Sequence, residues 1–179
     1  NNLTFSLIIY PGNILIREQF FLSMAVSVAI YRVVRRYVSN CFVKWPNDIL
    51  WHGKKLGGVL IEVNAEMDGV CAVVVGVGVN LSLPHAIKQQ IDQAAVDVKE
   101  ILGQRINRQQ ITVALISHIV RLLQDYAQLG FASWHKKWQH YDVLYGQEVE
   151  VLGLAQAMTG IAQGIDKQGA LMINTAAGL

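Results

Sequence analysis

Residues 43–62, "VKWPNDILWHGKKLGGVLIE", gather several kinds of reactive group into a short span. Lys44, Lys54 and Lys55 carry ammonium groups, Asp48 a carboxylate and Asn47 an amide, while Gly57 and Gly58 leave the backbone bare. A lysine beside exposed backbone amides suits a carboxylate or phosphate, because an ammonium is a compact positive charge with three donors. Lys55, followed directly by Leu56-Gly57-Gly58 and sharing a strand face with Gly57, is the candidate for that role. An exposed hairpin with solvated lysines explains Lys55 about as well and explains Lys54 better. Asn47 and Asp48 follow Pro46, so a turn is their default explanation. Asp48 has a second use as a carboxylate for Mg²⁺ arriving with nucleotide phosphates, since Mg²⁺ takes few protein carboxylates. Lys44 can approach the same anion.

A second pattern lies in "VVVGVGVN", residues 73–80. Side chains of a strand point to opposite faces in turn. Val73, Val75, Val77 and Val79 then form a core face, and Val74, Gly76, Gly78 and Asn80 a nearly bare one. A flat planar group can lie over those glycines while the Asn80 amide hydrogen-bonds its edge. Glycines that merely let a helix pack closely, or let the strand bend, are the stronger explanation on this pattern alone.

These groups need a scaffold. Residues 3–10 read as a strand stopped by Pro11-Gly12. Residues 16–38 read as a long helix, dense in apolar residues and free of Pro and Gly. A strand near 41–45 ends at Pro46-Asn47-Asp48, and 49–51 with 55–63 form a hairpin about His52-Gly53. A turn at 66–69 leads into a strand over 70–83, giving an antiparallel meander beside the first helix. Asn107 caps, and Gly130 closes, a helix whose stripe is Ile111, Leu115, Ile119, Leu122 and Leu123. A short helix follows to Asp142, with Trp134 and Trp138 as packing residues. From about residue 143 short β runs punctuated by glycine predict a small barrel-like appendage, too short to stand alone.

Composition narrows the function classes. The chain has 179 residues, 53% of them hydrophobic, and a net charge of +2. That is ample for a core, and it argues against nucleic acid as a partner held by bulk charge. The apolar run at 20–31 falls short of the roughly 20 residues of a membrane span. Cys41 and Cys71 lack C-x-x-C spacing and read as buried free thiols of a reducing, cytoplasmic compartment. A P-loop, a full dinucleotide fingerprint, H-E-x-x-H and G-x-S-x-G are all missing. His118, within a helix, reads as structural or solvated.

Taken together, "KWPNDILWHGKKLGGVLIE" followed by "VVVGVGVNLSLP" resembles the biotin protein ligase family, the biotin–[acetyl-CoA-carboxylase] ligases. "GIDKQGALMI" resembles the family's small C-terminal SH3-like domain, so the likeness covers essentially the whole chain. It implies an α+β fold, a mixed and largely antiparallel sheet backed by helices, related to class II aminoacyl-tRNA synthetases. The catalytic domain would occupy residues 1–142 and the SH3-like domain 143–179. The implied substrates are ATP and biotin, with Mg²⁺, and the implied product is biotinyl-5′-AMP. The implied partner is a biotin carboxyl carrier domain whose lysine accepts biotin; a homodimer is compatible with the family, and neither DNA nor membrane binding is expected of this chain.

By this resemblance Lys55 contacts the biotin carboxylate and the phosphate, and Gly57 and Gly58 lie on the strand that approaches biotin. Lys44, Asn47, Asp48, Gly76, Gly78 and Asn80 line the ATP or adenylate side, Asp48 on the metal. The family's Gly-Arg-Gly-Arg loop and Ser-Thr-Asn element do not occur in the sequence. Both would precede Asn1, and the last strand of the C-terminal domain would run past Leu179. A lipoate–protein ligase and a non-catalytic ligand-binding relative are the alternatives.

Overall fold

The computed structural model describes residues 2–10, 19–65, 71–88, 93–130, 132–152 and 157–176. The turns expected at Pro11-Gly12 and at 66–69, and the first residues of the predicted helix at 16–18, lie outside these. Five strands form the main sheet: β1 (Leu3–Ile9), β2 (Cys41–Lys44), β3 (Asp48–Trp51), β4 (Lys54–Ala65) and β5 (Cys71–Val79). Their order is β1-β5-β4-β3-β2, and every ladder is antiparallel. The expected meander is β2 to β5, and β1 adds to its free side. His52 and Gly53 both have positive φ, 45° and 77°, as a two-residue hairpin turn requires.

The alternation read from the sequence sets the layers. Leu3, Val79, Gly57, Ile49 and Val43 lie in one cross-strand row, and its four side chains are buried. Helix α1 (Gln19–Val34) covers that face. Leu22 through Tyr31 are all buried, which explains a helix apolar all round rather than on one stripe. Its end falls at Val34, short of the predicted 38; residues 35–37 form a turn, with Tyr37 N–H donating to Val34 O at 2.9 Å.

Two short helices, α2 (His85–Lys88) and α3 (Val98–Leu102), precede α4 (Arg108–Leu129). Asn107 accepts from Gln110 N–H at 3.1 Å, and the N–H of Gly130 donates to Tyr126 O at 2.9 Å, so both expected ends of α4 are present. Its stripe Ile111, Leu115, Ile119 and Leu122 packs against α1, with Leu123 half-buried at the margin. Helix α5 (Ala132–Tyr141) buries Trp134 and Trp138 in the same core.

A second, three-stranded antiparallel sheet stands where the appendage was expected: β6 (Glu148–Val151), β7 (Met158–Ile165) and β8 (Leu171–Asn174). It is fastened to the main body. Trp45 Nε1–H donates to Gly169 O at 3.0 Å, and His135 Nε2 lies 3.0 Å from Ile165 O. Gly169 has φ of 79°, and a Cβ there would come within 2.7 Å of the Phe21 ring, so this junction needs glycine twice over. No helix among the described residues is long and apolar enough to cross a membrane.

Ile119, fully buried between α1 and α4, tests the core. Ile119→Ala should lower stability by about 2–5 kcal/mol, read from the urea midpoint.

Candidate functional site

The face of the sheet opposite α1 carries a cavity of about 860 Å³. Its floor follows from strand register. Thr4, Gly78, Gly58, Asp48 and Lys44 form one cross-strand row on that face, next to the row of Ser6, Gly76 and Leu60. The cavity wall includes Lys55, Gly57, Gly58, Asn47, Asp48, Gly76, Gly78 and Asn80, so eight of the nine expected site residues converge. Lys44 is the exception: it is half-buried on the outer strand β2, opposite Asp48, and does not line the cavity.

The bare face is open rather than packed. A Cβ at Gly78 would meet only Gly58 O, at 4.0 Å, so no helix needs this glycine. Gly57 differs, since a Cβ there would lie 2.6 Å from Gly78 O. Gly58 sits between: its Cβ would fall 2.8 Å from Asp48 Oδ1 and 3.4 Å from Lys55 Cε.

Simple alternation places Lys55 with Gly57, and the structure overturns that. The β3–β4 ladder shifts register, with Leu50 opposite Lys55 but Ile49 opposite Gly57. Leu56 is the extra residue of this bulge and is fully buried. The bulge turns Lys55 onto the cavity face beside Gly58, a common use of such irregularities. There Lys55 Nζ lies 2.6 Å from Asp48 Oδ1, with the lysine side chain 36% and the aspartate 16% exposed.

The surrounding backbone holds Lys55 in place. Its N–H donates to Ala94 O at 2.8 Å, and its carbonyl accepts from Val96 N–H at 3.0 Å and from Asn80 Nδ2 at 3.2 Å. Asn80 Oδ1 accepts from Asn2 Nδ2 at 3.4 Å. With respect to the described residues, one N–H and one lone pair of the Asn80 amide thus remain for a ligand. Asn47 is stitched to β4 in both directions: its Nδ2 donates to Val59 O at 2.6 Å, and Val59 N–H donates to its carbonyl at 3.0 Å.

Sequence reasoning missed the segment that secures this arrangement. Residues 94–98 run beside Lys55 and Asn80, with Val98 N–H donating to Asn80 O at 2.9 Å. Asp97, 3% exposed, anchors the segment. It accepts from Leu83 N–H at 3.0 Å and, as the α3 cap, from Glu100 N–H at 2.8 Å. Lys88 Nζ lies 2.8 Å from Oδ2, the oxygen that accepts from Leu83, and also pairs with Glu100. Burial alone would raise the Asp97 carboxyl, but the hydrogen bonds from Lys88, Leu83 and Glu100, together with the Lys88 charge, outweigh it and hold the group below its ordinary range. The signal was present as Asp97-x-x-Glu100, a helix-start pattern. Thr4 and Ser6, also in the wall, alternate with Leu3, Phe5 and Leu7 in β1.

Other expectations concern residues away from the cavity. Cys41 is buried, and burial pushes its thiol up to about 11, so it stays protonated at neutral pH. The side chain of Cys71 lies outside the described residues. His118 donates from Nδ1 to Ala114 O at 2.9 Å, a structural role. Among the described residues no three His, Cys, Asp or Glu side chains converge on a metal-binding position. Among the described residues Asp48 is the single carboxylate in the cavity wall. That fits a Mg²⁺ held chiefly by substrate phosphates rather than by a protein cage.

Comparison with known proteins then decides the family. Residues 1–80 match the biotin/lipoate A/B protein ligase family, and residues 144–179 match the biotin protein ligase C terminal domain. This chain belongs to the biotin protein ligase family. The biotin–[acetyl-CoA-carboxylase] ligase of Paracoccus denitrificans is 31% identical over 140 residues, 76% of this chain and 58% of that protein. The bifunctional ligase/repressor BirA of Bacillus subtilis is 29% identical, across 100% of this chain and 55% of that protein. The chain thus spans about half the length of curated relatives it matches. The biotin protein ligase of Aquifex aeolicus, solved in complex with biotin and ATP, superposes with a TM-score of 0.83 at 25% identity, covering 99% of this chain and 73% of that one. The α+β fold with its antiparallel sheet is therefore the family's fold.

Two measurements check the site's architecture. Gly78→Ala should leave stability unchanged or raise it by up to about 1 kcal/mol, whereas Gly57→Ala should lower it by about 1–3 kcal/mol in urea unfolding. Asp97 is more readily ionised folded than unfolded, so its contribution is present above its ordinary value of 3.8 and is lost as pH falls through the lower folded value. Asp97→Asn should cost about 1.5–3 kcal/mol at pH 7 and flatten the decline in urea midpoint below about pH 4.

Proposed function

We propose that this chain forms the ligand-binding part of a biotin protein ligase, which activates biotin with ATP and passes it to a lysine of a biotin carboxyl carrier domain. One observation carries the reading: the Lys55 ammonium and the Asn80 amide open onto one cavity floored by glycines. Its volume of about 860 Å³ falls within the range of small-ligand sites and suits an acyl–nucleotide anhydride. In this reading residues 1–142 are the catalytic domain and 143–179 the SH3-like domain. A reaction that consumes ATP, and a buried free Cys41, suit the cytoplasm.

The chemistry follows from these groups. A carboxylate oxygen of biotin attacks the α-phosphorus of ATP, and pyrophosphate leaves, giving biotinyl-5′-AMP. The acceptor lysine amine then attacks the acyl carbon, loses a proton, and AMP departs. Negative charge builds on phosphoryl oxygen during the first step. Lys55 offsets it as a donor held in place before reaction by the Ala94, Val96 and Asn80 bonds to its backbone. Gly57 and Gly58 let biotin approach the β4 backbone, while Gly76 and Gly78 offer a flat surface beside the Asn80 amide for the nucleotide. Asn47 and Asp48 border the phosphate side, with Lys44 supplying longer-range positive charge from β2. A Mg²⁺ bound with the phosphates would take Asp48 as a protein ligand and neutralise phosphate charge.

A lipoate ligase would share the adenylation chemistry, and the family matched by residues 1–80 includes both. The match of 144–179 to the biotin ligase C-terminal domain favours biotin. ATP–pyrophosphate exchange by the full-length protein should depend on biotin; exchange driven by lipoate alone rejects the reading. Lys55→Ala should lower that exchange by about 10²- to 10³-fold, the usual loss for removing one transition-state donor. Wild-type turnover in the variant removes Lys55 from its role.

A further inference from the structure

A second cavity, of about 530 Å³, opens among α1, α4 and α5, which lie on the core face of the sheet, and it shares no residue with the first. Its wall contains Arg32 from α1, Arg35 and Arg36 from the turn that follows it, and His118, Arg121 and Asp125 from α4. Four guanidiniums thus face one carboxylate. Among the described residues no carboxylate lies within ion-pair distance of any of the four.

Arginines that merely hold helices together are ordinarily matched to acids. Three of these are instead oriented by groups that leave the charge intact. Arg32 stacks over the Trp134 ring, 5.7 Å from its centroid, and Arg35 over Tyr31 at 5.4 Å. Arg36 Nη2 lies 3.0 Å from His118 Nε2. Because His118 uses its Nδ1–H on the Ala114 carbonyl, its Nε2 accepts from Arg36 and the ring is the neutral tautomer. Trp134, 4% exposed, lines this cavity and offers its ring face to the guanidinium of Arg32.

We propose that this cavity binds a compact anion carrying a diphosphate group, either free pyrophosphate or the diphosphate of a nucleotide. Guanidinium forks match phosphoryl oxygens in pairs, and they stack on aromatic faces while doing so. The excess of three positive charges suits two linked phosphoryl groups, each bearing about −1.5 to −2 as a monoester. The volume is that of a small ligand. The chain's net charge of only +2 gives a nucleic acid no broad surface to follow.

Titration calorimetry on the full-length protein tests this, with inorganic pyrophosphate, ADP, adenosine and orthophosphate as probes. Pyrophosphate should still bind the Lys55→Ala variant, and adding Arg35→Gln/Arg121→Gln to that variant should weaken the remaining binding about 10- to 100-fold. Both arginine side chains are exposed; if the combined variant fails to fold, adding Arg121→Gln alone should still weaken binding about tenfold. ADP binding more tightly than pyrophosphate identifies a nucleotide as the source, and equal binding identifies the free diphosphate. Undiminished binding to the arginine variants, loss of all binding in Lys55→Ala, no binding at millimolar pyrophosphate, equal affinity for orthophosphate, or capture of an RNA oligonucleotide in preference to pyrophosphate overturns the proposal.

Discussion

Gly58 and Gly78 are cross-strand partners, and the site depends on that pairing. A cross-strand pair ordinarily contributes packing between two side chains, and here the sheet gives that up at its centre. The opposite face makes good the loss: Leu3, Val79, Ile49 and Val43, in the neighbouring row, are buried against the helices. The fold can keep one face of its middle strands bare because the other is packed without interruption.

The lysine reaches the bare face through a different device. A regular β4 would send Lys55 and Gly57 to the same side, and Gly57 faces the core row. The extra residue, Leu56, absorbs the mismatch and is itself buried. The segment at 94–98 then fixes the lysine's backbone on both of its polar groups. Asp97 connects that segment to the chain after β5, so the ammonium's position depends on a buried carboxylate outside the cavity wall.

Much of this was legible in the sequence because two-residue alternation and helix caps are local. The valine face of β5, the ends of α4 and the turn at His52-Gly53 follow from neighbours in the chain. The convergence of Lys55, Asp48 and Asn80 was legible only through motif resemblance, since no periodicity brings residue 48 beside 55 and 80 together. The bulge was not legible: Leu56 is an ordinary strand residue, and only competition between core and cavity reveals that it is supernumerary. Asp97 escaped for a related reason. Its partners Leu83 and Lys88 belong to a polar stretch without periodicity, where helix-start chemistry is easily taken for a solvated loop. Arg32, Arg35 and Arg36 were visible as charges flanking an apolar run, but their meeting with Arg121 of α4 required the helix packing.

The contact between Lys55 and Asp48 has a consequence for selectivity. Without ligand, the ammonium is already matched by a carboxylate at 2.6 Å. An incoming anion that recruits Lys55 strips Asp48 of its counter-charge, and a half-sheltered orphan carboxylate is expensive. Simple monoanions therefore gain little by entering. The pocket is biased toward guests that arrive escorted by their own cation, so that one exchange of partners leaves every charge matched.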